Sequence, residues 1–366
     1  MELNYVEDGP ALYLVASDPR AIWAQRAVRT PVKIQREDGQ VELRLGAPLS
    51  DRALIETVLG EFRHKYGEVA WDRHFRDRQR ILVLRQIEAP GDRPVEEVLR
   101  GEFDAVADRY TESVEGNPFR RYLRDRSVQA IRTLFEGRDP ILELGPGTGV
   151  ETLELLRAGH HVVAVDISPR MIAQLRQRAE AAGLSDRLET RLGSIGTLAT
   201  LLKDRPDASV GGVLSTFGAL NLDPHVERLS EALSRLLPPG APFFAGILNR
   251  TGLATVGYLL VAGHPYEAVR RLRDPIEADG LLYELAVTPF TSRRFAALFR
   301  PAFFVENVRA ASVLVPPYWS AKLYDFWGES GRRALARLDR QLSSRAPLRD
   351  LGEYLFVTLR RTPGRV

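Results

Sequence analysis

The chain has 366 residues, of which 44% are hydrophobic and 27% charged, so it is long enough for two domains and too apolar for wholesale disorder. It contains no cysteine, which excludes disulfides, thiolate metal sites, iron–sulfur clusters and thiol nucleophiles. The 51 basic and 48 acidic residues leave a formal charge of only +3, so the pI near 9.2 is a weak pointer to nucleic acid.

The amino-terminal stretch reads as strands followed by a helix. Ala11–Ala16, 32–35 and 41–45 are β-like, the last two joined by a hairpin turn at Glu37-Asp-Gly39. A helix capped by Ser50 or Asp51 runs to about Tyr66, and 80–85 closes the unit as a strand. Residues 1–88 are therefore expected to form a β-rich accessory domain, with 89–94 as a Pro/Gly linker.

From residue 95 the pattern changes. Helical periodicity covers 95–110 and 119–135, and then short apolar strands alternate with amphipathic helices. The strands are expected at 140–144, 161–165, 188–192, 211–215 and 242–248, with helices ending at 156 and covering 169–182 and 226–237. After residue 250 an apolar helical insertion precedes strands at 281–288, 305–314 and 353–359 and a helix at 292–299. The expected fold is an α/β, Rossmann-like, mostly parallel seven-stranded sheet with helices on both faces. Its domain is 95–366, with insertions at about 250–290 and 315–350. The Gly211-Gly212 pair has no explanation at this level.

The chemistry concentrates where the first of these strands turns into a helix, at Ile141-Leu-Glu-Leu-Gly-Pro-Gly-Thr-Gly149. Glycines there let backbone approach a ligand closely, and Asp166, at the end of the next strand, can accept two ribose hydroxyls. Val150 stands where a dinucleotide fingerprint wants a small residue, and no Gly-Lys-Ser/Thr follows the loop. Glu143 beside the loop would repel a pyrophosphate but suits a ligand with an ammonium and a sulfonium, which favours S-adenosylmethionine (SAM) over NAD and ATP.

These residues resemble a class I SAM-dependent methyltransferase with quinone-biosynthesis-type motifs over about 95–250. Glu143-Leu-Gly-Pro-Gly-Thr-Gly149 is similar to the family's first motif, which implies that Glu143, Gly145, Gly147 and Gly149 surround the methionine end. Asp166-Ile-Ser-Pro-Arg-Met171 is similar to a D-x-S-x-x-M segment, implying Asp166 on the ribose with Ile167 and Met171 near adenine. Phe103–Tyr110 resembles an aromatic lid in which Tyr110 closes over the methionine moiety. Ser215 and Thr216 fall in the loop that separates cofactor from substrate, and Leu237-Pro-Pro-Gly240 resembles an L-x-P-G-G turn. Gly193-Ser194 stands where the family usually has Gly-Asp for the adenine amino group, so a hydroxyl replaces a charge. Residues 1–88 resemble, more faintly, the later half of a split β-barrel of the deazaflavin-dependent nitroreductase type, through segments such as Leu12–Ser17 and Thr30–Ile34.

The resemblance implies methyl transfer to a small, apolar or aromatic acceptor by in-line displacement, which needs a base only if the acceptor loses a proton. His225, His264 and Tyr283 are candidates for that base, and the catalytic residue stays open. No His/Asp/Glu cluster has metal-ligand spacing. Two alternatives remain. One is an RNA or protein methyltransferase docking through the carboxyl-terminal region, where nine arginines face three acids from residue 331 onward. The other is a non-catalytic SAM-binding scaffold. With no leader segment and an apolar maximum near 253–262 too short for the ~20 residues of a membrane span, a cytoplasmic chain is expected. Nucleic acid is disfavoured as a partner, and a homo-oligomer through the amino-terminal domain is left open.

Overall fold

The computed structural model describes residues 5–8, 11–16, 32–36, 39–48, 52–74, 82–87, 95–115, 118–261, 263, 265–273, 276–277, 286–315 and 328–363. The chain divides into two compact units, residues 1–98 with 277–285, and residues 99–276 with 286–366.

The first unit holds an antiparallel sheet of β1 (Tyr5–Asp8), β2 (Ala11–Ala16), β3 (Val32–Arg36), β4 (Gly39–Pro48) and β5 (Leu82–Ile87), in the order β1-β2-β5-β4-β3. The β3–β4 register closes at Arg36 and Gly39, as a two-residue hairpin loop requires. Leu14, Val83 and, from the helix Arg52–His74, Val58 and Phe62 are buried. That helix breaks at Gly67, whose φ of +77° interrupts the helical backbone one residue beyond the expected end. Residues 17–31 and 75–81, which carry part of the nitroreductase-like pattern, lie outside the described residues.

The second unit is built on β6 (Ile141–Leu144), β7 (Val162–Asp166), β8 (Leu188–Leu192), β9 (Gly212–Ser215), β10 (Pro242–Leu248), β13 (Phe303–Ala311) and β14 (Tyr354–Arg361), in the order β13-β14-β10-β9-β6-β7-β8. Two-residue strands β11 (Ile276–Glu277) and β12 (Ala286–Val287) stand outside this sheet. Strands β6 to β10 are parallel, and β14 runs antiparallel to both of its neighbours. The sheet is thus Rossmann-like and mostly parallel, with helices on both faces. Alternation along each strand divides the core: Leu142, Val163 and Phe243 pack on one face, Ile141, Val162, Leu214 and Phe356 on the other. Because both faces are covered, β6, β7 and β9 are buried at every residue.

The glycine pair before β9 now has a cause. A Cβ at Gly211 would lie 2.5 Å from the Asp139 backbone nitrogen, and one at Gly212 would lie 2.6 Å from the Phe135 ring. The chain entering the sheet and the end of the helix Pro118–Leu134 leave no room there for a side chain.

Two insertions follow the strands. Helices Leu253–Val261 and Pro265–Arg273 come after β10, and the helix Gly328–Leu342 comes after β13. The expected helix from Val226 begins as a 3-10 turn, Val226–Arg228, before the α-helix Leu229–Leu236. Of the expected strand at 281–288, Ala286–Val287 is described as a strand and 281–285 lie outside the described residues. No helix among the described residues is long and apolar enough to cross a membrane.

Candidate active site

β6 ends at Leu144, and the chain turns through Gly145–Gly149 into the helix Val150–Arg157. Gly145, Gly147 and Gly149 all have left-handed φ, at +68°, +55° and +80°. A Cβ at Gly145 would lie 2.5 Å from Ala219 Cβ, and one at Gly149 would lie 2.1 Å from Leu175 Cδ1. Those two glycines therefore answer packing within the fold as well as backbone conformation. A Cβ at Gly147 would lie at 3.4 Å from the Tyr110 ring, so the aromatic residue and the middle of the loop are neighbours.

Asp166 closes β7 and is buried. Its Oδ2 accepts from the Gly147 N–H at 3.0 Å and its Oδ1 from the Ser168 N–H at 2.9 Å. Burial raises its pKa to about 6, against the opposing pull of these backbone bonds. Ser168 caps the helix Pro169–Ala181 by accepting from Met171 N–H at 3.0 Å, and Met171 is buried. The Ser168 hydroxyl donates to Asp104 at 2.5 Å, and Arg170 pairs with Asp108 at 2.5 Å. Those acids lie on the helix Val95–Glu115, which also carries Tyr110 and Thr111; the Thr111 hydroxyl donates to Thr148 of the glycine loop at 2.8 Å. One helix thus ties the ends of β6 and β7 together and brings Tyr110 onto the loop.

Glu143 faces the helix Val150–Arg157. Thr152 donates to its Oε2 at 2.6 Å, and burial raises its pKa to about 8. Among the described residues no cation forms an ion pair with it: Arg124, which acts on it electrostatically, pairs instead with Glu151 at 3.7 Å. Ser127 donates to the same Glu151 oxygen at 2.9 Å, and the Arg124 guanidinium lies 4.5 Å above the Phe217 ring.

Ser215 ends β9 and donates to the Leu144 carbonyl at 2.9 Å, joining the ends of β9 and β6. Thr216 is buried, and Phe217 holds a φ of +55° that side-chain-bearing residues rarely adopt. After β8, the Gly193 N–H donates to the Asp166 carbonyl at 2.9 Å, and buried Ser194 leads into the 3-10 turn Ile195–Thr197. Half-buried Ile167 follows Asp166. The structure thus gathers Tyr110, Glu143, Gly145, Gly147, Gly149, Asp166, Ile167, Gly193, Ser194, Ser215 and Thr216 at the carboxyl ends of four adjacent strands and on the helix above them.

His225 packs its ring on Gly196 in the turn after β8, its backbone N–H donates to Asp223 Oδ1 at 2.7 Å, and its Nδ1 lies 3.8 Å from Glu227. His264 and Tyr283 lie outside the described residues. Arg124 and Glu151 escaped sequence reasoning; Glu151, an acid directly after the glycine loop, was the available signal, whereas Arg124 looks like any other arginine of its helix.

Residues 141–240, from β6 to the turn before β10, match the family model described as "Methyltransferase domain". The chain carries a methyltransferase domain. An Arabidopsis thaliana protein named ribosomal RNA small subunit methyltransferase is 44% identical over 57 residues, 16% of each chain. An uncharacterized RNA methyltransferase of Parasynechococcus marenigrum is 36% identical over 130 residues, 35% of this chain and 26% of that one. The chain thus spans about a quarter or less of the length of these curated relatives. The solved structure of the CcbJ methyltransferase from Streptomyces caelestis is similar over 72% of this chain and 98% of its own, at 17% identity and a TM-score of 0.47.

Proposed function

We propose that the protein transfers a methyl group from SAM to a small, fairly apolar acceptor. The observation that carries this reading is the pair Glu143 and Asp166, buried carboxylates without an ion-pair partner among the described residues, flanking three left-handed glycines. A buried carboxylate without a counter-charge is costly, and a ligand that brings cationic and hydroxyl groups offsets that cost. SAM fits this donor and acceptor set. Glu143 would face its ammonium, Asp166 its ribose hydroxyls and Arg124 its carboxylate. Gly193 and Ser194 would border the adenine, with Ile167 and Met171 packing beside it. Gly145, Gly147 and Gly149 would cradle the methionine end under Tyr110, with Ser215 and Thr216 on the acceptor side.

When bound, SAM supplies a methyl group already activated on a sulfonium. What remains for the chain is to hold an acceptor nucleophile in line and to exclude water. His225, His264 and Tyr283 stay the candidates for a base where the acceptor must lose a proton. Residues 1–88 act as an accessory domain. Incubation with isotopically labelled SAM and a metabolite extract tests the activity: a labelled small molecule is expected, and none would leave only a SAM-binding scaffold.

The second reading is an RNA acceptor. Exposed Arg333, Arg337 and Arg340 on the helix Gly328–Leu342, with Arg345 and Arg349 beyond it, favour this reading, as do the names of the curated relatives. RNA docking through these arginines would weaken steeply with salt, whereas turnover of a small neutral acceptor would not.

A further inference from the structure

Tyr354 opens β14, paired with Leu248 of β10 on one side and Ala311 of β13 on the other. Its ring reaches across Gly246 of β10. A Cβ there would lie 2.8 Å from the Tyr354 hydroxyl and 3.3 Å from the Thr216 Cα. The missing side chain at Gly246 therefore admits the hydroxyl to the end of β9, beside the segment that follows Ser215.

That hydroxyl is sealed from solvent, and its proton has no acceptor among the described residues. The backbone N–H groups of Phe217 and Gly218 face its oxygen but cannot take its proton, and the Gly218 N–H also donates to the Gly246 carbonyl at 3.3 Å. Tyr122, on the same side of the sheet, shows the ordinary arrangement, since its hydroxyl donates to Asp339. Most buried hydroxyls find a partner, and one that does not calls for an explanation such as strain, a water or a ligand. Ser209 Oγ is also unpartnered among the described residues, but Tyr354 alone of the two adjoins the segment after β9. Burial also drives the Tyr354 pKa well above its ordinary value, which keeps the group a neutral donor.

The residue is held firmly from behind. Glu353 accepts from Arg271 and from Thr255, each at 2.5 Å, and a Cβ at Gly352 would lie 2.4 Å from the Ala311 carbonyl oxygen. A donor fixed in this way, with its bond unmade, is preorganised for a ligand.

We infer that Tyr354 positions the methyl acceptor by donating a hydrogen bond to an acceptor oxygen at or beside the atom that is methylated. The acceptor class is then a phenol, enol or carboxylic acid with an apolar body, bound as its anion after losing its proton to solvent. Its oxygen forms the bond to the methyl carbon while the carbon–sulfur bond breaks and the electron pair returns to sulfur, leaving neutral S-adenosylhomocysteine. Tyr354 keeps its proton throughout. This inference rests on the SAM reading above, and the test separates the two.

The test is a titration of the full chain, saturated with S-adenosylhomocysteine (SAH), with 4-nitrophenol and with 4-nitrotoluene, in wild type and Tyr354→Phe. Wild type is expected to prefer the phenol by at least tenfold. Tyr354→Phe should lose that preference while keeping its SAH affinity and thermal midpoint. Equal affinities for the two probes in wild type, no binding of the phenol, or an undiminished preference in Tyr354→Phe would overturn the inference. Failure of SAH itself to bind would overturn the SAM reading instead.

Discussion

Five carboxylates are buried among the described residues of the second unit; Glu151 pairs with Arg124, and the other four fall into two kinds. Glu353 is held by the Arg271 guanidinium and the Thr255 hydroxyl, and Asp339 by Arg126, Tyr122 and the backbone N–H groups of Ser312 and Leu314. Glu143 and Asp166 have a threonine hydroxyl and backbone amides, and no ion-pair partner among the described residues. The first pair fastens insertions to the sheet: Glu353 anchors the helices after β10, and Asp339 anchors the helix after β13. The second pair borders the glycine loop. Burial alone marks neither kind as functional. Burial without a cation, beside a loop with three left-handed residues, distinguishes the site from the fastenings.

Breaking a fastening should give the largest effect. Arg271→Leu would leave Glu353 buried and unpaired, and denaturant unfolding should show a loss of about 3–5 kcal/mol. Asp166→Ala should act on binding, weakening SAH by about 2–4 kcal/mol in calorimetry as ribose hydrogen bonds are lost. An unchanged affinity would remove Asp166 from the site.

Next comes pH. The folded, unliganded protein holds protons on these carboxyls that the unfolded chain releases near pH 4.5 and 3.8, so their contribution to stability falls as pH rises toward about 8. A ligand ammonium needs Glu143 ionised, so SAH affinity should rise with pH, by up to about tenfold per unit below that pKa, and level off above it. Glu143→Gln sharpens the contrast with the smallest effect on the fold. Unfolding should shift by no more than about 1 kcal/mol, while the upper part of the pH dependence of SAH binding disappears.

The parts of this site written in contiguous sequence were legible. The strand Ile141–Leu144, the glycine loop, the helix after it and Asp166 form one local unit, and the apolar runs of β6, β7 and β9 identify a sheet covered on both faces. Contacts between distant segments were not legible. Arg124 meets Glu151 from another helix, Tyr354 reaches over Gly246 from a strand about a hundred residues away, and the reason for Gly211-Gly212 lies in Asp139 and Phe135. The short strand β1, with acids at two of its four positions, carries too little apolar pattern to announce itself. His225 drew attention by residue type alone, and its packing on Gly196 could not be read from spacing.

The most direct measurement is calorimetric titration of the wild-type protein with SAH at neutral pH, in two buffers of different ionisation enthalpy. One-to-one binding with net release of protons to the buffer is the predicted result, because Glu143 must ionise to meet the ligand ammonium. No binding, or binding with no exchange of protons, would contradict the assignment of the unpaired carboxylates to a SAM site.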